Sequence, residues 1–404
     1  MPKLRRLHDE GGVDMLAPMS EKVESPSESG TAGGVGHAVR AELALVISMG
    51  TAAIFFGTGN RLVENITHPL LLMAVFLWLF VTILWSAICV VRHADCLAIK
   101  FGEPYGTLIL TLSAIAIEVA MISTAMLHGK NNPTLGRDAI FAVVMIALNG
   151  LVGLCLLMGG LRHREQHYNL QGVNSYLNVI MTLAVLGLVL PTFTTSTSGP
   201  TLSGLQGIFV AVTSVGLYAI FVLIQTMRHS QYFMESTDVV VALTKSTHRH
   251  QLQVRSTGFH AAMLLLYLIT VVSLSEKFGI PLDNCIEHFG MPQAFGGAIV
   301  ASLVLAPEGI GAIEATLRNQ LQRSVNILLG SVLATIGLTI PAVLTIGLIT
   351  NRSIVLGVQG GNLPLLLLTL AVSVVTFTSG KTNVLQGCIH LLLFAIFVLL
   401  IFAP

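Results

Sequence analysis

Glu118 lies near the centre of LTLSAIAIEVAMIS, residues 110–123, where every other residue is apolar or small and weakly polar. Glu308 lies in a second apolar run, LVLAPEGIGAIEATLRNQLQ. An ionised group at the middle of a membrane-spanning helix costs at least ~2.5–3.5 kcal/mol on insertion scales. One such glutamate reads equally as a protonated carboxyl bonded to a neighbouring helix. Two in matching places, with almost no other charge in the spans, point to a shared site. Hard cations prefer oxygen ligands, and calcium takes six to eight of them. Two carboxylates brought together out of water also repel as anions, so each is expected to hold a proton when no cation is bound. Cation and protons then compete for the same oxygens, which is the chemistry that antiport needs. Glu118 and Glu308 are therefore the candidate cation- and proton-binding residues, and the candidate metal ligands.

The elements that must position them follow from composition. Of 404 residues, 53% are hydrophobic and only 10% charged, against about 25% charged in soluble domains. Mean hydropathy is +0.80. The expectation is an all-α integral membrane protein that sits in a lipid bilayer. Runs of about 20 apolar residues occur at 41–58, 69–91, 106–127, 138–161, 174–196, 205–227, 257–275, 294–313, 324–349, 363–380 and 383–402. With the N-terminus cytoplasmic, only Arg61, Lys130, Arg137, Lys277 and Arg352 of the 21 Lys and Arg residues fall outside. The positive-inside rule thus predicts a cytoplasmic N-terminus and a C-terminus on the opposite side. The five cysteines are scattered without a CxxC pair, which argues against disulfides and zinc. No cofactor and no nucleic-acid partner are expected, and the oligomeric state is left open.

The chain also echoes itself. Phe101-Gly102-Glu103-Pro104 returns as Phe289-Gly290-Met291-Pro292, each just before a run that holds one of the two glutamates. Thr192-Phe193-Thr194 returns as Thr376-Phe377-Thr378, and Leu205-Gln206-Gly207 as Leu385-Gln386-Gly387. Order is kept and the offset drifts only slowly, which predicts two five-helix repeats. Five is odd, so the second is inverted, a plan that places substrate sites where the repeats meet. The expected organisation is a disordered cytoplasmic tail at 1–40, a first helix and loop at 41–68, repeats at 69–227 and 257–404, and a cytoplasmic linker at 228–256.

Lesser candidates surround the pair. Pro307 lacks a backbone donor, and Gly309 and Gly311 permit unusual dihedrals, so the helix is expected to break beside Glu308 and free carbonyls for a cation; a simple kink is the plainer reading. Ser331 could offer an oxygen or simply pack. Asn149 and Asn326 read as site neighbours or as interhelical hydrogen bonds. Glu103 reads as a vestibule or loop residue, and Glu314, about 240° round the helix from Glu308, as a vestibule or surface residue. His248-Arg249-His250 in the linker hints at pH sensing, but a solvated loop explains it as well.

Three stretches carry a family resemblance: GEPYGTLILTLSAIAIEVAMIS, LAPEGIGAIEATLRNQLQRSVNILLGSVLATIGLTIP and SGKTNVLQGCIHLLLFAIFVLLIF. Over about residues 40–404 the chain resembles the calcium/cation–proton antiporter family, within it the bacterial ChaA-type branch. The resemblance implies eleven spans, one extra helix plus two inverted five-helix repeats, in a bacterial inner membrane. It implies that Glu118 and Glu308 bind cations and protons in turn, with Ser331 matching the Gly-Ser of the second motif. Many members read Gly-Asn-x-x-Glu in both motifs. Here the matching pairs are Ala114-Ile115 and Val304-Leu305, which removes two side-chain oxygens. The implied ions are Ca²⁺, Na⁺ and K⁺ against H⁺. A passive cation channel is the alternative, although no filter sequence is visible. No enzyme activity is expected, because the spans supply no paired catalytic groups or HExxH site.

Overall fold

Long apolar runs must satisfy their own backbone groups in lipid, and they do so as helices. The computed structural model describes residues 42–57, 68–101, 105–128, 133–234, 256–350 and 352–403. The helices are α1 (Leu43–Gly57), α2 (Pro69–Phe101), α3 (Tyr105–His128), α4 (Leu135–His163), α5 (Leu170–Phe193), α6 (Gly204–Arg228), α7 (Thr257–His288), α8 (Ala294–Leu317), α9 (Leu321–Thr350), α10 (Asn362–Thr376) and α11 (Val384–Phe402). Among the described residues eight of them are long and apolar enough to cross a membrane; α1, the Thr111–Thr124 part of α3, and α10 are apolar but shorter. A short antiparallel pairing of β1 (Gln166–His167) with β2 (Lys381–Thr382) ties the α4–α5 turn to the α10–α11 turn. Residues Leu43–Pro404 make one compact body; the other unit, Met1–Glu42, is described only at Glu42. The 1–40 tail, Glu103 and His248-Arg249-His250 therefore lie outside the described residues.

The apolar runs mark the helices well but not their ends. α2 continues ten residues past the expected 91, and α7 thirteen past the expected 275. Charged residues such as Arg92, Glu276 and Lys277 end an apolar run without ending a helix, because the backbone ladder does not depend on them. α2 and α7 lie antiparallel. Phe76 stacks on Phe278 with centroids 5.4 Å apart at one level, and His93 Nδ1 meets His260 Nδ1 at 2.9 Å at another.

The expected break beside Glu308 does not occur. α8 is one helix through Pro307. Proline removes a single N–H and crowds the carbonyl four residues back, and the remaining ladder bonds of the 24-residue helix, packed on α4 at Gly309, carry it through. Gly309 serves that packing rather than a break: a Cβ there would stand 2.9 Å from Leu151 of α4.

Four helices share another irregularity, a π segment: Ile146–Leu151 in α4, Val185–Val189 in α5, Ile224–Arg228 in α6 and Thr335–Thr339 in α9. Such segments insert an extra residue per turn and recur at functional sites. α6 and α11 share their start. Ser203 with Gln206, and Asn383 with Gln386, each form a capping box, so the repeated Leu-Gln-Gly stretch is a helix start signal.

Candidate functional site

Glu118 and Glu308 reach the same place from different helices. α3 carries Glu118, only 3% exposed, and α8 carries Glu308. They are close enough for their charges to repel. Both face α9. Thr335 Oγ1 donates to Glu118 Oε2 at 2.7 Å, and the Ser331 hydroxyl lies near the Glu308 carboxylate on the cavity wall. Ser331 and Thr335 are four residues apart, about 6 Å along the helix. Thr339 stands a further turn along, its buried hydroxyl near Glu118 but without a partner in hydrogen-bond geometry. In an α-helix every fourth residue drifts 40° round the axis; the wider π turn at Thr335–Thr339 reduces that drift and keeps Thr339 on the side of Thr335.

Glu118, Glu308 and Ser331 line a cavity of about 370 Å³ enclosed by α2, α3, α5, α6, α8, α9 and the 3₁₀ turn Ser230–Phe233, with Thr335 and Thr339 behind its wall. Glu118 Oε1 and Glu308 Oε2 are buried and accept no hydrogen bond from the protein. Buried polar atoms are mostly paired, and these two are the carboxylate oxygens among the exceptions in the described residues; lying in one cavity, they are a ready place for a cation or a proton. Among the described residues no three His, Cys, Asp or Glu side chains gather in one cluster. The available oxygens are thus two carboxylates plus hydroxyls from α9. Ala114, Ile115 and Val304 line the same cavity, so at three of the four positions where the resemblance would set Gly-Asn, apolar carbon faces it.

The other candidates divide. Pro307 and Asn326 line the cavity. Asn326 Nδ2 donates to the Phe233 carbonyl at 2.6 Å and holds the 3₁₀ turn in place. Gly309 packs on Leu151 outside the lining. Glu314 is exposed and paired with Arg318. Asn149 faces a different set of partners. Its Nδ2 donates to Thr369 Oγ1 at 2.8 Å, its Oδ1 meets His390 Nδ1 at 3.2 Å, and His390 Nε2 meets Thr376 Oγ1 at 3.0 Å. That buried chain joins α4 to α10 and α11. Thr335, Thr339, Asp95 and Arg323 are cavity or site residues that the sequence reading passes over. A period-four series of hydroxyls, Ser331, Thr335 and Thr339, is the signal that would have found the first two.

The chain is similar to known proteins along most of its length. The family described as sodium/calcium exchanger protein matches residues 71–227 and again 259–403. The sodium-potassium/proton antiporter ChaA of Escherichia coli is 38% identical over 336 residues, covering 82% of this chain and 89% of its own. A Ca²⁺/H⁺ antiporter of Aphanothece halophytica is 26% identical over 310 residues, covering 68% of this chain and 81% of its own. The fold resembles native YfkE at a TM-score of 0.65 and 18% identity, covering 90% of this chain and 99% of that one. With seven-tenths or more of the chain matched in two stretches by one family, and an antiporter aligned along most of its length, the chain belongs to the sodium/calcium exchanger protein family.

Proposed function

We propose that the protein is a secondary antiporter that exchanges cytoplasmic cations for protons, with Glu118 and Glu308 as the shared site. The observation that carries this reading is the pair of buried, unpartnered carboxylate oxygens from two helices in one cavity. When a cation enters, both carboxylates ionise and their protons leave. When the cation departs, protons return and remove the repulsion. The Thr335 hydroxyl holds Glu118 in place, and the Ser331 hydroxyl on the cavity wall near Glu308 serves as a neutral oxygen. Two negative charges suit one Ca²⁺ for two protons, or Na⁺ and K⁺ in its place. The name of the E. coli relative supports the monovalent ions and that of the A. halophytica relative supports Ca²⁺.

The same reading takes the eleven helices as spans, α2–α6 and α7–α11 as inverted repeats, and alternating access as the motion. The N-terminus is cytoplasmic and the C-terminus periplasmic, in a bacterial inner membrane. The cavity then opens to the cytoplasm, since its outer lining lies where α2 and α6 end and α9 begins. The protein moves ions and breaks no covalent bond, so it is no enzyme.

The test is cation-driven proton movement in proteoliposomes, with Ca²⁺, Na⁺ and K⁺ added in turn. Wild type should release protons, and E118Q and E308Q, reconstituted to the same level, should lose at least ~90% of the signal. Normal exchange in both variants would sink the assignment. Cation flux uncoupled from protons would favour the passive channel.

A further inference from the structure

The cavity that holds the two glutamates is lined, among the described residues, by only two other charged groups. They are Asp95 of α2 and Arg323 of α9. Asp95 is half-buried and Arg323 exposed. The charged group that acts on the Asp95 carboxylate is the Arg323 guanidinium. Both stand toward the mouth. Arg323 precedes Ser331 by eight residues, about 12 Å along α9. Asp95 lies near the end of α2, which leads into the start of α3. Thr111 is the first described cavity residue on α3, and Glu118 lies seven residues, about 10 Å, beyond it. An ion on its way to the glutamates therefore passes Asp95 and Arg323 first.

An arginine at the mouth of a cation path is an obstacle by its charge. Low-dielectric walls focus such a field along a cleft. An opposite charge facing the same cleft cancels it. We propose that Asp95 and Arg323 form a charge filter at the cavity mouth, in which the carboxylate offsets the guanidinium so that cations reach the glutamates, and the balance of the two sets the relative access of monovalent and divalent ions. The proposal rests on the exchange reading above. Neither residue is assigned to the binding pair.

The electrostatic work of bringing an ion to the site scales with its charge. Removing Asp95 leaves Arg323 uncompensated. At roughly 10 Å and an effective dielectric of about 20, one unit charge changes the rate at which a monovalent ion reaches the protonated pair about tenfold; the bound ion has displaced protons that carry charge of their own, so the effect lies in entry rather than in equilibrium affinity. For a divalent ion the factor is the square of that, about a hundredfold. Removing Arg323 has the opposite sign, and removing both brings each factor back towards one.

The experiment measures the apparent KM of Na⁺, K⁺ and Ca²⁺ for cation-driven proton release in proteoliposomes. It compares wild type, D95N, R323Q and D95N/R323Q, with E118Q as the transport-dead control. D95N should raise KM, R323Q should lower it, and the double variant should return near wild type, with the change in KM rather than in maximal rate. Where both ion classes are carried, the Ca²⁺ factor should be the square of the Na⁺ or K⁺ factor. Arg323 is exposed, so R323Q alone gives a readable sign even if D95N lowers the yield of folded protein. Unchanged KM values, shifts of one sign in both single variants, or equal factors for the two valences would overturn the filter while leaving the exchange site standing. If wild type moves no protons with any ion, or E118Q moves them normally, the exchange reading fails and the filter falls with it.

Discussion

Thr335 holds the Glu118 carboxylate by a direct hydrogen bond. A bond to a charged group contributes about 1.5–3 kcal/mol, so T335V should weaken apparent cation affinity by at least tenfold. T339V should have a smaller effect, because its hydroxyl is not in bonding geometry. KM values for proton release in proteoliposomes check both, and equal effects would argue against the geometry. The glutamates were legible in the sequence because a carboxylate stands out in an apolar run. The threonines were not, for a physical reason. Hydroxyls in apolar helices commonly bond the carbonyl four residues back, as Thr82, Ser86, Thr270 and Ser275 do here. Only the fold separates those from Thr335, which turns outward to another helix. His390 was hidden in the same way, since its partners Asn149 and Thr376 come from α4 and α10.

At the level of helices, hydropathy located each element, and capping chemistry accounts for the starts of α6 and α11. The ends of α2 and α7 escaped because hydropathy reads the lipid while helices follow their hydrogen bonds. Pro307 misled for a related reason: local breaking tendency lost to the remaining ladder bonds and the packing on α4. The paired Leu-Gln-Gly stretches give a contrast that sequence alone does not carry. A Cβ at Gly387 would stand 2.5 Å from the Leu157 backbone nitrogen, whereas at Gly207 the nearest side-chain atom is Leu344 Cδ2 at 3.8 Å. G387A should therefore lower the thermal unfolding midpoint of the detergent-purified protein by several degrees. G207A should leave it unchanged or raise it, since replacing a helical glycine gains roughly 0.5–1 kcal/mol. Identical behaviour of the two would show that α4 and α11 are not in such close contact.

For the whole molecule, low charge and long apolar runs spoke for a membrane protein from composition alone, but the cavity that joins seven elements had no counterpart in any one stretch. Its mouth makes a directional prediction. Thr226 lines the cavity, so T226C, in a background free of the native cysteines, should react with a membrane-impermeant thiol reagent applied from the side of Arg323. It should stay protected from the other side, and labelling from that other side alone would reverse the assignment. The three hydroxyls at the site belong to one helix, α9, and they serve carboxylates from two others. A twist of α9 would release both acids in a single stroke, so the two are geared together rather than independent. Gearing does not cancel charge: the first proton removes the repulsion that favours the second, so proton uptake should run in two separated steps, a shallow titration with a Hill coefficient below one that belongs to the pair rather than to either glutamate.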